Sequence, residues 1–289
     1  MSYRSVFRPG LFAGRNIIVT GGGSGIGRCT AHELASLGAQ VILIGRKDDK
    51  LKKVQAEIQE DGGNAIWFTC DIREEDSVKA TVAETFKAVG QVHGLVNNAG
   101  GQFPSPLSFI SQKGWETVVR TNLTGGFLMA REVFMQGMNK TGGSIVNIVA
   151  DMWGGMPGMG HSGAARAGMV NFTQTAAFEW GCAGVRVNAV APGWIASSGM
   201  DTYPESFKST IKTLRAAVPL KRMGEEAEVS GAIVFLLSDA AAFISGDTLR
   251  IDGAASQGNI AIFPLPDHNN SKPFDGFHRA VTPDLFKDN

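Results

Sequence analysis

The chain has 289 residues, and its 27 Lys and Arg balance 27 Asp and Glu, so the formal net charge is zero. A neutral chain argues against a nucleic-acid partner, because such binding depends on clustered positive charge. Hydrophobic residues make up 43% and charged residues 19%, which argues against disorder. The three cysteines are scattered, without a CxxC pair or a Cys/His cluster, so we expect neither a disulfide scaffold nor a metal site.

Neither end of the chain carries a recognisable targeting signal. The first ten residues lack the apolar core of a signal peptide, and no run of about 18 apolar residues predicts a membrane-spanning helix. We therefore expect a cytoplasmic protein that does not bind a membrane.

Short apolar runs alternate with longer amphipathic ones along the chain. In chain order, strands are predicted over residues 16–20, 40–44, 65–70, 94–97, 144–149, 185–190 and 248–251. The intervening patterns predict helices over residues 25–37, 48–60, 74–89, 114–138, 162–181 and 225–238. Repeated strand–helix alternation is typical of βαβ units with right-handed crossovers. The sequence therefore predicts an α/β fold, doubly wound, with a seven-stranded parallel sheet.

The chain changes character after Gly253. The following residues show little periodicity and contain Pro264, Pro266, Pro273 and Pro283, so this tail is expected to be extended. We predict a single domain over residues 1–289, with a core of 12–253 and a tail of 254–289 that lies over a neighbouring surface or subunit.

A glycine-rich turn, TGGGSGIG, occupies residues 20–27 between the first predicted strand and the first predicted helix. Glycines at this place let backbone amides approach a pyrophosphate at a helix N-terminus. The alternative is a tight turn without a ligand, but the strand–turn–helix context favours a nucleotide. The predicted contacts come from Gly21, Ser24, Gly25, Ile26 and Gly27.

The second predicted strand ends at Gly45, and two cations follow, Arg46 and Lys47. An acidic residue near this point would bind the ribose 2′-hydroxyl of NAD. Arg46 can instead donate two hydrogen bonds to a 2′-phosphate. The pair favours NADP over NAD, although both cations could simply begin a solvated helix.

Four motifs, taken in order, resemble the short-chain dehydrogenase/reductase family over residues 12–253. They are TGGGSGIG at residues 20–27, NNAG at 97–100, Asn122 within TNLTGG, and Pro192-Gly193. The resemblance implies a Rossmann fold, a nicotinamide cofactor, a small-molecule substrate and a homo-oligomer, either a dimer or a tetramer.

The resemblance also implies cofactor contacts position by position. Asp71 and Ile72 resemble the pair that meets the adenine, and residues 98–100 resemble the loop beside the adenosine ribose. The segment that meets the nicotinamide in this family corresponds to Pro192, Gly193, Ile195 and Ser197. The residues implied beside the ribose are Asn98, Ala99 and Gly100. Asn122 resembles the asparagine that holds a helix kink and a water.

The family's catalytic Tyr-x-x-x-Lys pair is absent from this chain. Aligned on Ala167-Gly168, Arg166 stands at the lysine position and Ser162 at the tyrosine position, with His161 beside it. This HSGAARAG segment, with NNAGGQF (97–103) and the tail motif PDHN (266–269), resembles the branch of trans-2-enoyl-CoA and 2,4-dienoyl-CoA reductases. In the dienoyl enzymes the active tyrosine occupies the position of Asp151.

The absence of the Tyr-x-x-x-Lys pair is compatible with catalysis if the reaction needs only a hydrogen-bond donor. Reducing an α,β-unsaturated thioester requires a hydrogen-bond donor aimed at the thioester oxygen, whereas oxidising an alcohol requires a base. His161 can donate in either protonation state. The predicted catalytic residues are Asn122, Asp151, His161, Ser162 and Arg166, the last also contacting the cofactor. The alternatives are structural: a helix cap for His161 and Ser162, and an interface cation for Arg166.

Apolar residues near these positions suggest the kind of substrate. We expect a substrate wall and lid from Met152, Trp153, Met156, Met159, Trp194, Met200 and Tyr203. Three hypotheses follow: an NADP-dependent reductase of an enoyl-CoA-like thioester, a dehydrogenase of a hydrophobic alcohol or aldehyde such as citronellol or citronellal, and a non-catalytic NADP-binding protein.

Overall fold

The computed structural model describes residues 2–260, 262–267 and 270–287. Its central sheet has seven parallel strands in the order β3-β2-β1-β4-β5-β6-β9. The strands are β1 (Asn16–Thr20), β2 (Gln40–Gly45), β3 (Asn64–Thr69), β4 (Gly94–Asn97), β5 (Gly143–Ile148), β6 (Val185–Pro192) and β9 (Thr248–Ile251). This confirms the predicted doubly wound α/β fold. Strand order reverses between β1 and β4, which opens a crevice at their carboxyl ends.

Helices cover both faces of the sheet. They are α1 (Gly25–Ser36), α2 (Asp48–Glu60), α3 (Glu75–Val89), α4 (Gln112–Val119), α5 (Gly125–Val133), α6 (Asn139–Thr141), α7 (Gly160–Trp180), α8 (Glu205–Leu214) and α9 (Glu226–Leu237). Successive strand side chains point to opposite faces, so Ile17 and Val19 join one buried cluster and Ile18 joins the other. The α1, α2 and α9 layer covers the first cluster, and the α3 and α5 layer covers the second.

Three features of the structure differ from the sequence prediction. The helix predicted over 114–138 is a longer helical path, interrupted by π-helical turns at Arg120–Thr124 and Phe134–Met138. The prediction also missed α8 and the short parallel pair β7 (Ile195–Ala196) and β8 (Gly224–Glu225). A π turn keeps an amphipathic pattern nearly intact, and a two-residue strand has too few residues to show a period.

The tail lies against the protein's own surface. Phe277 is buried with Tyr3 and Cys29, and Arg279 donates to both carboxylate oxygens of Asp61, at 3.0 and 2.8 Å. Further on, Leu285 packs with Met200 on the segment between β7 and α8. Residues 268 and 269 of the PDHN motif lie outside the described residues, and the single-domain assignment of residues 1–289 stays a prediction.

Candidate dinucleotide-binding and active site

A cleft of about 450 Å³ opens at the carboxyl ends of β1, β2 and β4. Of the predicted cofactor residues, those on its wall are Gly21, Ser24, Gly25, Ile26, Arg46, Lys47, Asp71, Ile72, Asn98, Ala99, Gly100 and Ser197. Lys50, Arg73 and Thr121, which no sequence motif indicated, line the same cleft. The fold therefore brings residues from six separate segments to one site, although their roles toward a nucleotide stay predictions.

The glycine turn is shaped by backbone requirements. Gly21 and Gly25 have φ values of +66° and +57°, which favour glycine strongly. A Cβ atom on Gly27 would lie 2.4 Å from Asn98 Nδ2 and 2.5 Å from the Gly21 carbonyl oxygen. Gly27 thus contributes to packing of the turn, and α1 begins at Gly25 with its N-terminus at the cleft.

Thr20 joins the glycine turn to the loop after β4. Its hydroxyl oxygen accepts hydrogen bonds from the backbone N–H groups of Asn98 and Ala99, both at 3.0 Å. Asn98 Nδ2 in turn donates to the Thr20 carbonyl oxygen at 2.9 Å. These reciprocal bonds fix two walls of the cleft, a role of Thr20 that sequence reasoning missed.

Cations line the rim near β2 and β3. Arg46 and Lys47 are exposed, and Arg73 forms an ion pair with Asp71. The hydrogen bond from Arg73, with the charge of Arg46, lowers the pKa of Asp71 below its usual value. Since Arg73 neutralises this carboxylate, the rim presents net positive charge to a ligand.

Asn122 lies in the first π-helical turn. Its Nδ2 donates to the Gly101 carbonyl oxygen, and its Oδ1 accepts from the Gly101 N–H, both at 2.9 Å. The amide thus fastens the π-helical turn to the loop after β4, while the kink and the water implied for Asn122 stay predictions.

The next two residues of this loop contact the other predicted polar groups. Ser162 Oγ donates to Gln102 Oε1 at 2.6 Å, and Gln102 Nε2 donates to the Tyr203 hydroxyl oxygen at 2.9 Å. The Phe103 ring meets the His161 ring edge-on, with centroids 4.4 Å apart. His161 is fully buried, and its two ring nitrogens have no hydrogen-bond partner within the described part of the chain.

Arg166 lies under the same loop. Its Nη1 donates to the carbonyl oxygens of Ile148 and Val149, at 2.8 and 3.2 Å, and its Nη2 lies 3.2 Å from where a Cβ of Gly100 would stand. Burial lowers the pKa of Arg166 to about 10, so the group is still a cation at neutral pH. The structure thus places a fixed positive charge at the end of β5.

Asp151 occupies the edge of the site. Its backbone N–H donates to the Pro192 carbonyl oxygen at 3.1 Å, and burial, with the charge of Asp252, raises its carboxyl pKa. Gly193 bonds to Ile251 and Ile195 packs into the core, so this segment supports the cleft wall reached by Ser197.

Across the described ranges, no group of three or more His, Cys, Asp or Glu side chains is arranged to hold a metal ion. None of the helices described combines the length and apolarity that crossing a bilayer requires.

The strand order, the glycine turn at the switch point and the NNAG loop define a class of oxidoreductases that bind a nicotinamide dinucleotide. The family model for enoyl-(acyl carrier protein) reductase matches residues 21–256. The chain therefore belongs to the short-chain dehydrogenase/reductase family.

Relatives of this chain act on different substrates. A citronellol catabolism dehydrogenase of Pseudomonas aeruginosa PAO1 is 68% identical, with a TM-score of 0.81, over 88% of this chain and 100% of that one. The peroxisomal 2,4-dienoyl-CoA reductase of Danio rerio is 34% identical over 88% of this chain and 85% of its own. A solved structure from Beutenbergia cavernae, described as a gluconate 5-dehydrogenase that uses NAD(P), contains NADP; it is 32% identical, with a TM-score of 0.79, over 86% of this chain and 99% of that one.

Proposed function

We propose that this chain is an NADP(H)-dependent oxidoreductase that interconverts an apolar, unsaturated alcohol and its aldehyde, of the citronellol and citronellal kind. The observation that carries the proposal is an apolar rim around a small buried polar group. Phe103 is 40% exposed and Leu107 65% exposed beside buried His161 and Ser162. Such a surface suits a hydrocarbon chain with one oxygen function better than a sugar.

The positive rim supports NADP(H) as the cofactor. A 2′-phosphate carries charge that Arg46 can meet with two hydrogen bonds, with Lys47 and Lys50 close by on the same wall. NAD lacks this phosphate and would leave these cations without a ligand. Gly21 and Gly25 line the cleft at the N-terminus of α1, where backbone amides can approach a pyrophosphate.

We rank the alcohol–aldehyde reaction ahead of the enoyl-thioester reduction that was expected first, and the 68% identical relative supports this order. Thioester reduction is kept as the second candidate, because the Danio rerio relative is a dienoyl-CoA reductase and Arg166 occupies the lysine position of that branch. Both reactions develop negative charge on a substrate oxygen, which a donor and a nearby cation would stabilise.

We assign the following roles to residues of the chain. Arg166 supplies positive potential and holds the nicotinamide ribose, while Asn122 keeps the Gly101 carbonyl in place. His161 is the candidate donor toward the substrate oxygen, Ser162 holds the Gln102 amide through its own hydroxyl hydrogen, and Asp151 adds a polar group at the edge. Pro192, Gly193, Ile195 and Ser197 support the nicotinamide side. When bound, NADP(H) supplies or accepts the hydride.

We further infer a homo-oligomer, a dimer or tetramer, and a cytoplasmic location. Both are expectations from the family and from the neutral, cysteine-poor composition.

A substrate panel tests the proposal. Purified enzyme is assayed for NADP reduction with citronellol, for NADPH oxidation with citronellal, and for NADPH oxidation with crotonyl-CoA and longer enoyl-CoAs; each assay is repeated with NAD or NADH. We expect turnover with the alcohol and aldehyde and a lower KM for NADP. Turnover of enoyl-CoAs alone would favour the second candidate, and tight NADPH binding without any turnover would favour a non-catalytic role.

A further inference from the structure

The chain has two tyrosines, and the structure places them in very different surroundings. Tyr3 is buried in the N-terminal segment, where its hydroxyl donates to Glu33 at 3.1 Å. Burial raises the pKa of Tyr3 above its usual range, and the residue packs with Phe277 rather than with the cleft. A phenol for the reaction could therefore come only from Tyr203.

Tyr203 belongs to the segment between β7 and α8, which contacts the loop after β4. It follows the turn Ser198–Thr202 and precedes α8, and its ring packs on Phe207 with centroids 5.3 Å apart. Its hydroxyl oxygen accepts the hydrogen bond from Gln102, which follows Gly101 in the loop after β4. The fold thus brings a phenol to the site from a segment 41 residues after Ser162, the residue at the family's tyrosine position.

The bond lengths fix the direction of this chain of hydrogen bonds. The 2.6 Å distance from Ser162 to Gln102 suits O–H···O, and the 2.9 Å distance from Gln102 to Tyr203 suits N–H···O. Ser162 therefore orients the Gln102 amide so that its NH₂ group donates to the phenol oxygen. The phenolic hydrogen is then free to donate to another acceptor.

Arg166 contacts the same loop as this chain of hydrogen bonds: its Nη2 lies 3.2 Å from where a Cβ of Gly100 would stand, two residues before Gln102. Burial lowers the pKa of Arg166, and the charge of Tyr203 acts in the opposite direction. A buried cation beside a hydroxyl stabilises the oxyanion left when the proton departs. The family's tyrosine–lysine partnership would then be replaced here by a phenol and a guanidinium from different parts of the chain.

We propose that Tyr203 is the catalytic acid and base of this enzyme, an assignment that rests on the proposed function. In aldehyde reduction the carbonyl carbon would accept a hydride from NADPH, which is oxidised to NADP⁺. The electron pair of the C=O π bond moves to oxygen, and the Tyr203 O–H bond breaks as its proton moves to that oxygen. Alcohol and phenolate result, and the phenolate recovers a proton from solvent. Oxidation of the alcohol is the reverse. Gln102 and Ser162 are positioning residues.

The test compares Tyr203→Phe with Tyr3→Phe, which removes the same hydroxyl from the other tyrosine. For Tyr203→Phe we expect kcat with citronellal to fall by about 10²–10⁴-fold, as for loss of a general acid, with KM within about threefold. Tyr3→Phe keeps wild-type turnover. Gln102→Leu leaves the phenol in place without its orienting donor and loses about tenfold in kcat.

Binding measurements separate catalysis from folding. NADPH affinity, followed by fluorescence, and the circular dichroism spectrum stay unchanged in Tyr203→Phe; loss of either together with activity would indicate a structural role and overturn the assignment. A Tyr203→Phe enzyme that keeps more than half of the wild-type kcat overturns the assignment of Tyr203 but leaves the proposed function standing. Wild-type enzyme without turnover on the whole substrate panel overturns the proposed function, and this assignment with it.

Discussion

The two ends of the cleft are built by different means. The dinucleotide end is formed by backbone: positive φ at Gly21 and Gly25, and close packing at Gly27. The proposed substrate end, beyond the loop after β4, is formed by side chains from distant segments, as in the bonds from Ser162 to Gln102 and from Gln102 to Tyr203. The first kind of site leaves a short local motif in the sequence, whereas the second leaves none.

At the dinucleotide end, the largest effect is expected from adding a Cβ atom to a glycine of the turn at residues 20–27. Gly27→Ala would place a Cβ 2.5 Å from the Gly21 carbonyl oxygen. We expect NADPH affinity to fall at least about 100-fold and the free energy of unfolding to fall by about 1–3 kcal/mol. Fluorescence titration and urea unfolding measure both effects.

Gly231→Ala is the matched control, because Gly231 lies in α9 with no atom within 4 Å of an added Cβ. Alanine there should raise the unfolding free energy by up to about 1 kcal/mol and leave NADPH binding unchanged. An equal loss of NADPH affinity in Gly27→Ala and Gly231→Ala would show that the effect does not arise from the glycine turn.

At the substrate end, Arg166→Met removes the fixed cation and leaves the carbonyls of Ile148 and Val149 without their donor. We expect kcat/KM to fall about 100-fold, with partial recovery in Arg166→Lys. Steady-state kinetics on the substrate that the panel identifies provide the measurement.

Arg186 offers a comparable arginine at the amino end of β6, at the opposite end of the strands from Arg166. Its Nη1 donates to the Leu236 carbonyl oxygen at 2.8 Å. Arg186→Met should cost stability but not turnover. If both variants lose turnover equally, the effect at Arg166 is one of folding and not of charge at the site.

One titratable side chain lies beneath the dinucleotide end. Glu226 is buried at the start of α9, with Oε1 3.9 Å from where a Cβ of Gly25 would stand, and burial raises its pKa from the ordinary 4.5 to about 7. The folded state therefore loses stability, relative to the unfolded chain, as pH rises from about 4.5 to about 7, after which the loss is complete.

Glu226→Gln should consequently be more stable than wild type at pH 8, by about 2 kcal/mol, and nearly equal to it at pH 4.5. Urea unfolding at both pH values measures the difference. The exposed Glu84→Gln serves as the comparison and should show no pH-dependent gain. A gain of equal size at both pH values would point to packing instead of ionisation.

The smallest expected effect concerns cofactor choice. Arg46→Ala should weaken NADPH binding about tenfold and leave NADH binding unchanged, because only the 2′-phosphate contact is lost. Lys52→Ala, in the α2 helix that follows Arg46 and paired with Asp48, should change neither affinity. An equal loss for both cofactors would contradict a 2′-phosphate role for Arg46.

The sequence predicted the seven sheet strands because each is a short apolar run. It indicated residues of the cleft because 21–27 and 98–100 are each a contiguous motif. It did not predict the partnership of Tyr203 with Gln102, which are 101 residues apart. Nor could it show that His161 is fully buried against Phe103, since the burial of one ring depends on packing between segments that no local pattern specifies.

The tail connects two regions that a parallel-sheet core would otherwise leave independent. Arg279 donates hydrogen bonds to Asp61 at the end of α2. A few residues later, the Leu285 N–H donates to the carboxylate of Asp201, which is close to Tyr203 in sequence. The contacts of the tail at Asp61 therefore also anchor the segment that carries Tyr203.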